Sequence, residues 1–159
     1  MTKVSMADSL AFNQFVDQPF QTTIRDRVSF DGIGLHTGTI SNIILKPAEI
    51  NSGIFFNRTD KNIIIPAKWN NVVSTKFSTN LGKNKTEVKT VEHLLSALAG
   101  LHINNCEICI DNEEVPILDG SSKVFVDEIL KVGTLEQKFS QKILQVLKPV
   151  KFECDYGFA

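Results

Sequence analysis

From Gln21 onward the chain places apolar side chains at every second position in short runs. In "TIRDRVSF" the residues Ile24, Val28 and Phe30 fall on one face. "ISNIILK", "SGIFFNR" and "NIIIPAKW" follow as strands separated by Pro, Asn, Asp and Gly. An extended segment is predicted over residues 74–81, "STKFSTNL", and "GKNKTE" reads as a polar turn. The period then lengthens. Val91, Leu94, Leu95, Leu98 and Leu101 recur at spacings of three and four, which predicts a helix with that stripe in the core and Thr90 as its N-cap. "NNCEICID" returns to a strand. A second helix is predicted after it, with Ser121 or Ser122 as N-cap and Gly133 as its stop. Its apolar side would be Phe125, Val126, Ile129 and Leu130. In the closing "ILQVLKPVKFECDYGFA", Val150, Phe152 and Cys154 alternate as in a strand.

The sum is α+β: a mostly antiparallel β-sheet with two α-helices packed on one face. Residues 1–18 show no sustained period and read as an N-terminal extension. Residues 19–139 carry the pattern of a domain, and the strand-like close of the chain ends abruptly, without the polar tail or cap that usually closes one.

Composition narrows the function classes. At 159 residues and 42% hydrophobic content the chain can bury a real core. A formal net charge of −1, with no basic face or tail, gives no electrostatic case for nucleic acid. No apolar run approaches the ~18 residues that span a bilayer, and the N-terminus has no signal-peptide apolar region, so the expectation is a soluble cytoplasmic protein. Three cysteines are an odd number for a disulfide framework. Cys106 and Cys109 have C-x-x-C spacing, but on a strand positions three apart face opposite ways, which argues against shared zinc or redox chemistry.

The candidate chemistry sits at the start of the first helix, where Glu92 and His93 are adjacent. Free N–H groups and the helix dipole there favour an ionised carboxylate and a neutral imidazole. Those are the forms a general base and a metal ligand require. The plain alternative is a glutamate that merely suits a first turn beside a solvated histidine. His36 lies in "GIGLHTG", whose three glycines permit positive φ or close backbone approach. It reads either as part of a binding loop or as a polar loop residue. His102 reads as a connector after the helix. In "EEVPILDGSS", Glu114, Asp119 and the serines read foremost as a turn and cap. A catalytic zinc takes three protein ligands and an open position, and no H-x-x-x-H, H-E-x-x-H or H-x-x-x-D occurs in the chain.

Three stretches in order, "GIGLHTG" (32–38), "KTVEHLLSALAGL" (89–101) and "NEEVPILDGSS" (112–122), together resemble the N-terminal half of the UDP-3-O-acyl-N-acetylglucosamine deacetylases. These are zinc amidases of bacterial lipid A biosynthesis. The resemblance runs from about Ile24 to the end. It implies the first of two similar α+β domains over residues 19–139 and the first strands of the second over 140–159, with Glu92 as general base and His93 as a zinc ligand. Thr75, Lys76, Phe77, Ser78 and Thr79 would line the passage for the substrate, a UDP-linked acylated glucosamine, and His36 would be a near-site loop residue.

The resemblance also implies parts that this sequence lacks: an H-x-x-x-D pair completing the zinc site, a further histidine acting as general acid, and cationic contacts to the nucleotide. The expectation is therefore a catalytic half-site. Three readings stay open: a piece of a longer deacetylase completed in cis, a short chain completed in trans by a separate C-terminal half, and a non-catalytic binding or regulatory relic.

Overall fold

The computed structural model describes residues 19–143, 146–154 and 157–158. The expected extension at 1–18 lies outside them. Its main sheet has five strands: β2 (Val28–Ile33), β3 (Ile40–Pro47), β9 (Cys106–Ile110), β4 (Ile54–Arg58) and β5 (Ile63–Pro66), in that spatial order. All neighbours are antiparallel except β4 with β9, which run parallel. Alternation along β3 decides the two faces: Ile43 and Leu45 are fully buried while Ile44 is exposed.

On the buried face lie two helices, α1 (Glu92–Gly100) and α2 (Lys123–Val132). Leu94, Ala97 and Leu98 of α1 and Phe125 and Ile129 of α2 share one core with Phe30, Phe56 and Ile108 of the sheet. Phe30 and Phe125 meet edge to face, 4.9 Å between ring centroids, which fixes α2 on β2. The helix stripes are narrower than the sequence pattern. Leu95 and Leu101 are half-buried, and Leu130 is 57% exposed because it falls one position past Ile129, about 100° around the helix. Gly133 ends α2 with φ +78, as its position predicts.

Where a single sheet was expected, the described residues form three smaller ones beside the main sheet. Strands β6 (Val72–Ser74), β7 (Asn80–Lys83) and β8 (Thr86–Val88) make a meander that delivers the chain to α1. β1 (Phe20–Ile24) pairs with β10 (Thr134–Ser140), and β11 (Glu153–Cys154) pairs antiparallel with β12 (Gly157–Phe158). The strand expected over Val150–Cys154 is thus confined to its last two residues, and Val150 and Phe152 are exposed. No helix among the described residues is long and apolar enough to cross a membrane.

Candidate active site

The segment expected to be extended over 74–81 is instead interrupted. It leaves β6 at Ser74, bends through 75–79 and re-enters a strand at Asn80. Phe77 is the pivot, with φ +66 and its ring 83% exposed. The Lys76 ammonium lies 5.5 Å from the centre of that ring. Ser78 is buried and donates its hydroxyl to Asn80 Oδ1 at 2.9 Å, pinning the far side of the bend. Thr75 is exposed and Thr79 half-buried.

Helix α1 starts at Glu92, and Thr90 is not its cap. A capping threonine accepts a hydrogen bond from the first turn; the Thr90 hydroxyl donates instead, to Glu114 Oε1 at 2.6 Å. Its backbone has φ +56, a region β-branched residues rarely enter. That conformation costs about 1–2 kcal/mol, and a hydrogen bond to a buried carboxylate, worth about 1.5–3 kcal/mol, is large enough to hold it. Val91 is fully buried, and its N–H reaches Thr79 O at 3.3 Å. Glu92 and His93 follow, both half-buried. The Glu92 carboxylate accepts the Thr79 N–H at 3.1 Å, so the helix start and the 75–79 bend meet at this side chain.

Glu114, which the sequence reads only as part of a turn, is completely buried. Besides Thr90 it accepts the His36 N–H at 3.1 Å, the Thr37 N–H at 2.7 Å and the Thr37 hydroxyl at 2.7 Å. No cation faces it among the described residues. Burial pushes its carboxyl upward, but the hydrogen bonds from Thr90, Thr37 and His36 outweigh burial and hold it below the usual glutamate range. Around it the backbone is stitched on both sides: Val115 N–H to Lys89 O at 3.1 Å, and Ile117 N–H to Ile33 O at 3.0 Å.

The glycines of "GIGLHTG" divide their work. Gly34 allows close approach, since a Cβ there would stand 2.4 Å from Glu114 Oε2. Gly38 takes φ +65 in open space. The loop presents the Leu35 and His36 side chains outward, both exposed. His36 is therefore joined to the Glu92 region through its backbone and Glu114. His102 lies at the other end of α1, exposed, with φ +55; its carbonyl accepts the Thr22 hydroxyl. It belongs to the helix exit, as expected.

Asp119 accepts the Ser121 N–H at 2.9 Å, and Ser121 Oγ accepts the Lys123 N–H at 3.0 Å, so this stretch is the turn and helix entry it resembled. Ser122 occupies the N-cap position without a side-chain cap. Cys106 points into the core, while Cys109 lies on the opposite face and donates to Glu107 Oε1 at 3.4 Å. Their separation across the sheet excludes a shared metal. A cavity of about 270 Å³ opens beside Gln21, Asn51, Lys68 and Asn105, and none of the Glu92 group lines it.

Against this geometry, comparison with known proteins is decisive. The model of the UDP-3-O-acyl N-acetylglycosamine deacetylase family matches residues 21–159. The chain belongs to that family. Among its relatives, the UDP-3-O-acyl-N-acetylglucosamine deacetylase of Lawsonia intracellularis is 42% identical over 135 residues, 83% of this chain and 44% of the relative. That of Geotalea uraniireducens is 44% identical over 133 residues, covering 82% and 43%. The Helicobacter pylori protein is 40% identical over 131 residues, covering 82% and 44%. The chain thus spans less than half the length of these relatives. The α+β fold with two helices on one sheet face is the one the resemblance implied for the first domain of the family.

The metal question turns on donor count. Among the described residues no three His, Cys, Asp or Glu side chains converge. His93 offers one nitrogen where a catalytic zinc takes three protein ligands. The described residues do not form a zinc site by themselves.

Proposed function

We propose that this chain supplies half the active site of a zinc-dependent amide hydrolase. Its reaction would remove the N-acetyl group from a UDP-linked, 3-O-acylated N-acetylglucosamine in bacterial lipid A biosynthesis, in the cytoplasm. The observation that carries the reading is the side-by-side placement of Glu92 and His93 at the start of α1, with Glu92 bonded to the 75–79 bend. Strained, non-glycine backbone at Phe77 and Thr90 flanks the pair, and such strain concentrates at functional sites.

In this reading Glu92 is the catalytic base: it takes a proton from the attacking water and helps to protonate the departing amine, together with the general-acid histidine expected beyond the described residues. His93 contributes one ligand, and the remaining zinc ligands lie beyond the described residues, in a C-terminal half joined in cis or supplied in trans. Residues 19–139 form the first domain and 140–159 lead into the second. Thr75, Lys76, Phe77, Ser78 and Thr79 border the substrate passage. The exposed Phe77 ring offers apolar contact to an acyl chain, and Lys76 offers charge. His36, on its fixed loop, faces the substrate side. By itself the chain is inactive.

The test is acetate release from the UDP-linked substrate by the protein supplied with the completing half. Glu92→Ala should lower turnover by about 10²–10⁴-fold with zinc still bound, and His93→Ala should lose the metal. Undiminished turnover in Glu92→Ala removes Glu92 from the mechanism.

A further inference from the structure

The Glu92–His93 pair does not position itself. It follows a threonine held in a left-handed conformation and lies beside a bend that contacts it through one backbone N–H. Among the described residues the only side chain bonded both to that threonine and to the loop carrying His36 is Glu114. Each of its donors sits on an element the site uses: Thr90 two residues before Glu92, and His36 and Thr37 in the loop. It has no salt-bridge partner among the described residues, so its hydrogen bonds hold these two elements and nothing else.

We propose that Glu114 is a positioning residue that sets the direction of the helix start carrying Glu92 and His93 against the loop carrying His36. The proposal rests on the reading of Glu92 and His93 as the catalytic pair. With the Glu114 carboxylate in place, Thr90 keeps φ +56, the chain enters α1 at a fixed angle, and Glu92 meets the Thr79 N–H. Without it, Thr90 relaxes toward ordinary φ, the first turn reorients, and the contact to Thr79 opens. The loop loses its anchor at the same time, because the His36 and Thr37 N–H groups share that carboxylate.

Amide hydrogen exchange, resolved by residue on the chain itself, tests this with no need for turnover. In Glu114→Gln the amide group presents an N–H₂ where the loop N–H groups or the Thr90 hydroxyl require an acceptor. Exchange at His36, Thr37 and Thr79 should accelerate by about tenfold or more relative to the β3–β9 amides. Thr90→Val keeps the shape and removes only the hydroxyl, and should accelerate Thr79. Thr90→Ser restores the hydroxyl and should restore protection. If all amides accelerate in step, Glu114 is a general stabiliser and the proposal fails. If Thr79 keeps its protection in Glu114→Gln and Thr90→Val, the helix start does not depend on Glu114 and the proposal also fails. Should Glu114→Gln not fold, the Thr90 pair decides alone. Failure of the catalytic reading would appear separately, as undiminished turnover in Glu92→Ala.

Discussion

The backbone N–H of Thr79 donates to Oε2 of Glu92 at 3.1 Å across a separation of thirteen residues. A carboxylate read from the sequence as a base is therefore also the clasp between a helix start and a bend. The two roles separate by substitution. Glu92→Gln keeps an oxygen that can accept from Thr79 and loses the base. It should leave thermal stability within about 0.5 kcal/mol while turnover in the completed enzyme falls by about 10²–10⁴-fold. Glu92→Ala loses both, so the Thr79 amide should exchange faster as well. Equal exchange at Thr79 in the two variants would show that the clasp has no consequence.

Gly34 and Gly38 give a paired prediction in one loop. At Gly34 a methyl group would meet Glu114 Oε2 at 2.4 Å and Thr37 Oγ1 at 2.5 Å, in a place where neither can withdraw without losing its hydrogen bonds. Gly34→Ala should cost about 2–3 kcal/mol of stability, from overpacking and broken bonds to a buried carboxylate. Gly38 has room but φ +65, so Gly38→Ala should cost only about 1–2 kcal/mol. Denaturant midpoints of the two variants check the order, and a reversed order would mean the loop yields at Gly34.

Much of this arrangement was legible in the sequence, and the gaps have physical causes. Both helices, the main-sheet strands and the place of Glu92 and His93 in the first turn of α1 follow from periodicity, because apolar spacing reports burial directly. The Thr90 cap failed because a threonine hydroxyl can donate as well as accept, and its acceptor, Glu114, lies 24 residues away. The bend at Phe77 was hidden by an extended-looking composition; nothing local in "STKFSTNL" announces a phenylalanine with positive φ. Strand β10 was missed because most of its residues are exposed, leaving little alternation, and its partner β1 lies more than a hundred residues earlier. Glu114 carried one weak signal, a glutamate between a strand and a proline.

The cysteine spacing leads to a chemical prediction. Cys106 is fully buried, and burial, as the leading cause, pushes its thiol up to about 12. At pH 8 its thiolate fraction is then about a thousandfold below that of a free cysteine. A thiol reagent should leave Cys106 unmodified in the folded chain and label it only after denaturation, with mass-mapped peptides as the readout. Rapid native labelling at Cys106 would mean that the main sheet opens readily at its central strand, β9.

Acid should destabilise the chain, and two of the carboxylates responsible are Asp60 and Glu114. The side chain of Arg58 is nearly buried, and its guanidinium makes a paired contact with Asp60, at 2.8 Å from Nε and 2.7 Å from Nη2. Those hydrogen bonds, with the Arg58 charge, hold Asp60 below the usual aspartate range against a smaller opposing effect of burial. Glu114 is held low by its four donors. A group whose folded value is depressed binds its proton more weakly in the folded state than in the unfolded one. Its stabilisation is complete above the ordinary carboxylate range and is lost as pH falls through the lower, folded value. Stability should therefore be flat near neutrality and decline below about pH 4–4.5. Asp60→Asn should cost about 2–3 kcal/mol at pH 7, less than the ~3–5 kcal/mol for breaking a fully buried pair, because the Asp60 side chain is 29% exposed to water. The cost should shrink as pH falls, since protonated Asp60 in the parent chain no longer holds Arg58 by charge. Urea unfolding of both proteins at pH 7 and pH 3.5 measures it, and a difference that stayed constant between the two would show that the Arg58–Asp60 contact works by shape and not by charge.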